Sequence, residues 1–393
     1  MTNAFRYLII GGGMAGDAAA RGIRQVDPHG SIGLFSKEPD PPYNRPPLSK
    51  GLWKRTPLAR IWRKTADLGV ELFLGQTITR LDPSQKCVIT HQGSAYHYDK
   101  LLLATGGDPL HIAPEHERII YFRTLADYRR LRALTESEQH FAVIGGGFIG
   151  SEMAAVLVSL GKQVTLIFPE SGIGARVLPG DLSGYLNTLF RERGARVLEG
   201  HLVRSLTPGP HAVTLTLDSN ETLEVDAVIA GLGIRPNLDL ARAAGLAVDH
   251  GIRVDAALRT THPDIFAAGD VISFYTPLLD QRVRVEHEEN ANLSGQLAGM
   301  GMAGQPQEYH HLPSVYSSLF EINYDAVGEL NPAFEIFFDW QEPFRKGVVY
   351  YLREGRVRGV LLWNVSKGLD MARRLIAEPG PLRPADLRGK ISG

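Results

Sequence analysis

The chain carries one cysteine, Cys87, among 393 residues. A single thiol excludes an internal disulfide, a CxxC redox pair, a thiolate zinc site and a Cys-ligated iron–sulfur cluster. On the stretch KCVIT, Cys87 reads as a small half-buried hydrophobe of a strand. An excess of either charge is also missing: 42 Lys and Arg stand against 43 Asp and Glu, so nothing in the balance points to nucleic acid or anionic lipid. The run RRLR at 129–132 reads as the solvated face of a helix. No apolar run approaches the ~18 residues of a membrane span. The first residues offer one early cation, Arg6, and an apolar run that breaks at once into glycines. That is a strand entering a turn rather than a signal peptide, and a cytoplasmic protein is expected. Glu286, His287, Glu288 and Glu289, like His310 and His311, are chain neighbours whose side chains point apart, so no metal site is expected.

What is present is organisation. At ~150 residues per domain, the length suggests two or three domains. The strand YLII, a glycine turn, the helix AGDAAARGIRQV and the strand SIGLF form a βαβ unit. From VELFL to LLLATGG, apolar and polar residues alternate between turn signals as in β-hairpins, ending in an apolar strand read as buried and central. The plan repeats from about residue 118: FAVIGGG, the helix FIGSEMAAVLVSLG, QVTLIF, the hairpin-like AVTLTLDSNETLEVD and the apolar AVIAGLG. DIFAAGD adds a short strand. From about residue 309 the pattern changes to FEIFFDW, GVVYYLREGRVRGVLLWN and the helix GLDMARRLIAE. Two strands joined at Arg-Glu-Gly and packed with a helix predict a small α+β domain.

Both glycine turns satisfy G-x-G-x-x-G: Gly11, Gly13 and Gly16, then Gly145, Gly147 and Gly150. In this motif the first glycine makes the tight turn and the second lets backbone approach a pyrophosphate. The third lets helix and strand pack closely, and the phosphates sit on the positive helix end. Each copy follows an apolar strand and opens a helix, the context that gives the motif its meaning. Two dinucleotides in one chain predict a hydride donor and a flavin that receives it. An acid about 20 residues past the turn binds the ribose hydroxyls. Glu170 holds that place in the second unit, where a carboxylate repels a 2′-phosphate and favours NADH over NADPH. The first unit has Ser36 and Lys37 there, with Glu38 one residue late.

The segments PPYNRPPLSKGLW, LLLATGGDP, FAVIGGGFIGSEMA, FPESGIGARVLP, GLGIRPNLDLA, IFAAGDV, RVEHEENA and KGVVYYLREGRVRGVLLWN resemble the two-dinucleotide-fold flavoprotein reductases. Within them the chain is similar to apoptosis-inducing factor and the bacterial ferredoxin and rubredoxin reductases. The likeness spans nearly the whole chain, and YNRPPLSK with FIGSE carries it most specifically. It implies an α/β fold of two three-layer Rossmann-like domains: FAD on 1–115 and 243–308, NADH on 116–242, and a C-terminal α+β domain on 309–393.

The resemblance also implies the site. Lys50 would lie by the flavin N5 and stabilise reduced anionic flavin, Glu152 would pair with it, and Phe148 would cover the flavin face until nicotinamide displaces it. Asp270 would hold the ribitol, and Arg45, Arg123, Glu286 and His287 would neighbour the flavin. Glu38, Ile78, Ala104, Thr105, Gly106 and Gly269 would complete the FAD contacts, and Ile149, Arg176 and Gly233 the NADH contacts. One departure stands out: where relatives carry a Trp near the flavin, the chain reads PSVYSSLFEIN, with Tyr316 the nearest aromatic.

The expected activity is hydride transfer from NADH to FAD, then electron transfer onward. RPPLSK has no cysteine, so the acceptor is not a thiol. A small iron–sulfur protein, a quinone and oxygen remain open, as does a homodimer. The alternative is an NADH-sensing protein whose stable charge-transfer complex governs a partner contact.

Overall fold

The computed structural model describes residues 3–391. They gather into two compact units, one reaching up to Pro47 and continuing through Thr56–Asp108 and Arg235–Pro313. The other holds Leu48–Arg55, Pro109–Ile234 and everything from Ser314.

The first unit is built on a seven-stranded sheet in which Val70–Leu74, Ile32–Ser36, Ala4–Ile10, Ala95–Leu103, Cys87–Thr90 and Ile78–Asp82 lie side by side. Ala4–Ile10 pairs parallel with both neighbours, and Ile265–Ala267 adds in parallel to Ala95–Leu103. Leu8, Leu34, Leu101, Leu102 and Leu103 are fully buried, as expected for strands covered on both faces. One expectation is corrected here. VELFL is not part of a hairpin but pairs parallel with Ile32–Ser36, because four 3-10 turns between them carry the chain across and back. Cys87 is buried, not half-buried.

The helices Met14–Val26 and Glu288–Met302 meet through small residues. A Cβ on Gly295 would fall 2.4 Å from the Ala15 carbonyl oxygen, and one on Gly299 2.1 Å from that of Ala19. Beside this crossing the fully buried carboxylate of Asp17 accepts from Arg63 Nε at 2.6 Å, Arg21 Nε at 2.9 Å and Thr65 Oγ1 at 2.6 Å. Three donors supply what water would have given that charge.

The second unit contains a parallel sheet ordered Arg196–Glu199, Gln163–Phe168, His140–Ile144, Ala227–Ala230 and Ile119–Ile120. A three-stranded antiparallel sheet between residues 203 and 225 is inserted in sequence ahead of its strand Ala227–Ala230. The C-terminal region is larger than its sequence suggests. Instead of two strands it forms a five-stranded antiparallel sheet: Ser314–Leu319, Ile322–Gly328, Arg356–Trp363, Lys346–Arg353 and Glu335–Glu342. The first two strands join at Phe320, which takes φ 55° without being Gly, Asn or Asp, so no turn signal marks the hairpin. The α/β reading holds. No helix of the described residues is long and apolar enough to cross a membrane.

Just before Ile265–Ala267 in the first unit, Asp264 bridges Lys100 and Lys86, the latter at 2.6 Å. The hydrogen bonds from Lys100 and then Lys86 pull its carboxyl down to about 2. A folded pKa below the unfolded value stabilises the fold above about pH 3.8 and stops doing so as pH falls towards 2. Acid unfolding of Asp264→Asn should therefore lose part of its slope between about pH 4 and 2. An acid titration followed by far-UV circular dichroism checks this; an unchanged slope would count against the bridge.

Candidate functional site

Each glycine turn is closed by backbone of its own unit. In the first, Gly11 takes φ 126° and its missing side chain leaves room for the Ala104 carbonyl oxygen, which a Cβ would approach to 2.0 Å. A Cβ on Gly16 would sit 2.1 Å from the Gly11 oxygen. In the second, Gly145 at φ 109° leaves room for the Gly231 oxygen, and a Cβ on Gly150 would lie 1.9 Å from the Gly145 oxygen. By contrast, Gly13 and Gly147 have nothing within 4 Å of their Cβ positions. Each turn is thus packed at its first and third glycines and open at its second. Each also sits at the N-terminus of a helix, Met14–Val26 or Phe148–Ser159, where the free N–H groups attract an anion.

Around the first turn, the structure gathers several predicted residues. Glu38, just past Ile32–Ser36, accepts from Tyr43 Oη at 2.6 Å and from Arg45, and Arg45 lies 5.2 Å from the centre of the Tyr43 ring. Burial lowers the Arg45 guanidinium, but Tyr43, Glu38 and Asp270 outweigh it and its pKa rises. Thr105 and Asn237 exchange side-chain bonds, with Thr105 Oγ1 donating to the Asn237 oxygen at 2.9 Å. Asn237 N–H also donates to the Gly106 oxygen. Gly269, at φ 83°, lies against Ala15 and donates its N–H to Ser294 Oγ. Glu286 pairs with Arg284 at 2.7 Å, and His287 caps Glu288–Met302, its Nδ1 accepting from Glu289 N–H. Ile78 is a buried strand residue opposite Thr90 and joins none of these groups through a hydrogen bond or ion pair.

In the second unit, Glu170 follows Gln163–Phe168 and its Oε1 accepts from Arg176 Nε at 2.7 Å. Ile149 is exposed beside the open Gly147. Gly233 takes φ 89° with free space at its Cβ. Arg123 donates its N–H to Asp127, which forms a capping box with Thr124 at the start of Leu125–Ser137.

The same unit holds a second constellation. Glu152, one turn into Phe148–Ser159, is 2% exposed. Its Oε1 accepts from Lys50 Nζ at 2.5 Å and from Ser317 Oγ at 2.7 Å, and its Oε2 accepts from Ser49 Oγ at 2.6 Å. Lys50 sits between two 3-10 turns, Pro46–Ser49 and Gly51–Trp53, and keeps 23% of its side chain exposed. Its Nζ lies 5.1 Å from the centre of the Tyr316 ring, within cation–π range. Phe148 rests against Tyr324, which stacks on Trp363 at 5.5 Å. Burial raises the Tyr324 hydroxyl above its usual pKa; Ser317 opposes the rise and the Glu152 charge adds to it. Ser49, Ser317 and Tyr43 lie in stretches the motif reading singles out, but it assigns none of them a role. Ser317 lies 165 residues from Glu152, and only the folded sheet brings it there.

A model of the pyridine nucleotide-disulphide oxidoreductases matches residues 5–295. The chain belongs to that family. A model of the apoptosis-inducing factor, mitochondrion-associated C-terminal domain matches residues 335–378. The reductase is 33% identical to the anthranilate 1,2-dioxygenase system ferredoxin–NAD(+) reductase component of Burkholderia cepacia over 97% of each chain. It is 31% identical to apoptosis-inducing factor 1, mitochondrial, of Dictyostelium discoideum, covering 95% of this chain and 78% of that one. Among solved structures, putidaredoxin reductase in its covalent complex with putidaredoxin superposes with a TM-score of 0.89 at 30% identity, over 97% of this chain and 95% of that one. This member is an NAD(P)H-dependent flavin oxidoreductase, and its cofactors are FAD and NADH. The two open glycine turns fit a pair of dinucleotides. The family name includes disulphide chemistry, yet the one thiol here is buried on the strand Cys87–Thr90.

The position of Glu170 at the end of its strand yields a prediction. Glu170→Ala should lower kcat/KM for NADH about tenfold, the scale of a lost hydrogen bond to a charged group, and lower it less for NADPH. Steady-state kinetics with both nucleotides measures the ratio; an unchanged ratio would remove Glu170 from nucleotide selection.

Proposed function

We propose that this reductase takes a hydride from NADH onto FAD and passes electrons singly to a small ferredoxin-type iron–sulfur protein. One observation carries the reading. The loop RPPLSK presents a lysine bonded to a buried glutamate, and no cysteine, where a disulphide reductase needs a thiol pair. The full-length likeness to ferredoxin reductases supports the same acceptor class.

FAD, when bound, supplies a two-electron entry and a one-electron exit. In this reading it occupies 1–115 and 243–308, NADH occupies 116–242, and 309–393 forms the C-terminal domain. The backbone of Gly11, Gly13 and Gly16 would receive the FAD pyrophosphate, with Glu38, Arg45, Ile78, Ala104, Thr105, Gly106, Arg123, Gly269, Asp270, Glu286 and His287 holding the rest. Gly145, Gly147 and Gly150 receive the NADH pyrophosphate, with Ile149, Glu170, Arg176 and Gly233 beside it. Lys50 presents an ammonium where negative charge builds, a site at which a fixed cation lowers the barrier. Glu152 holds that ammonium in place. Phe148 would shield the bound flavin from water.

The match of residues 335–378 to the apoptosis-inducing factor C-terminal model favours one other reading, NADH sensing with a partner contact as output. The two readings separate on reoxidation. Protein reduced anaerobically with NADH and mixed with an oxidised [2Fe–2S] ferredoxin should lose its electrons at about 10 s⁻¹ or faster, a typical turnover rate. Reduced protein that outlasts every ferredoxin tested would favour sensing and reject the reductase reading.

A further inference from the structure

The strand Ser314–Leu319 stands at the edge of the five-stranded C-terminal sheet. Two consecutive residues of it touch the two members of one ion pair. Ser317, buried to 1% exposure, donates to Glu152 Oε1, and the Tyr316 ring lies 5.1 Å from Lys50 Nζ. On the other carboxylate oxygen, Ser49 donates from the residue directly before Lys50. Glu152 therefore has donors on both oxygens, and only one of its three bonds leads to the cation.

The geometry points to Ser317, Ser49 and Tyr316 as positioning residues for Lys50. A carboxylate held by one lysine alone can swing about its side-chain torsions and carry the ammonium with it. Two hydroxyls on opposite oxygens remove that freedom, so the direction of the Oε1 lone pairs, and hence the place of Nζ, is fixed from the C-terminal sheet. The Tyr316 ring confines the ammonium from another side through its face. Its electron-rich face attracts the cation yet leaves the remaining N–H groups free to donate elsewhere. The C-terminal sheet thus contributes two of the groups that position Lys50. This inference rests on the proposed role of Lys50, and its test is chosen to separate the two.

The resting holoenzyme is treated with an amine-reactive acylating reagent, and the labelling rate of Lys50 is followed by peptide mass spectrometry. Ser317→Ala and the double variant Ser49→Ala/Ser317→Ala should label about tenfold faster than the parent, the scale of a lost hydrogen bond to a charged group. Ser317→Thr, which keeps the hydroxyl on a β-branched residue suited to a strand, should restore slow labelling. Tyr316→Leu should also label faster, which keeps the test alive if the serine variants fold poorly; thermal melts identify those that do. The FAD midpoint potential should fall wherever labelling rises, while KM for NADH stays within about twofold, since ground-state nucleotide binding is untouched. Parent-like labelling in the folded double variant would overturn the inference. If labelling rises but the potential stays put in these variants and in Lys50→Met alike, the cation does not act on the flavin. That outcome overturns the redox role of all four residues and the proposed role of Lys50 with them.

Discussion

A carboxylate at 2% exposure has lost its water and must take hydrogen bonds from the protein instead. Glu152, on the helix of the second glycine turn, takes three from two distant parts of the chain: Lys50 and Ser49 from one short N-terminal loop, and Ser317 from the C-terminal sheet. The requirement to satisfy one buried charge therefore ties three distant segments of the second unit together. It also places a partly exposed ammonium in a position its own flexible side chain would not keep.

The helix that carries Glu152 is set by the second glycine turn. Gly150 lies on the Gly145 oxygen so closely that a methyl group would overlap it, which lets Phe148–Ser159 start directly at the end of its strand. From that start, Phe148 and Glu152 are four residues apart and share one helix face. The open turn thus also fixes where the acid and the aromatic ring emerge. The first turn repeats the packing and ends differently. Its helix carries an acid one residue earlier, Asp17, which spends its charge on Arg63, Arg21 and Thr65 within the first unit. The same turn supports an ion pair with a distant loop in one unit and an internal brace in the other.

Much of this was legible in the sequence because it depends on local rules. The glycine turns, their flanking strands and the helix behind each follow from spacing and periodicity, and the family model covering residues 5–295 agrees with them. The pairing of Lys50 with Glu152 was expected from resemblance, and the side chains meet at 2.5 Å. What the sequence concealed was long-range. VELFL alternates like a hairpin strand, yet its partner was chosen by the crossover before it and not by the turn after it. The first C-terminal hairpin turns at a phenylalanine, so no Gly or Asn announces it. With that hairpin hidden, Ser317 had no reason to be noticed, and a serine alone carries no chemical signature of a buried hydrogen bond.

The central claim is that Lys50 and Glu152 act as one unit on hydride transfer. Stopped-flow reduction by NADH of the parent, Lys50→Ala, Glu152→Ala and the double variant tests it most directly. The account predicts a rate about tenfold or more lower in Lys50→Ala, since a charged hydrogen bond of ~1.5–3 kcal/mol is lost and the glutamate is left without its cation. Glu152→Ala should be slowed less, and the double variant less than the two losses combined, because contacting residues couple. Strictly additive losses, or a normal rate in Lys50→Ala, would contradict it and reduce the pair to a structural salt bridge.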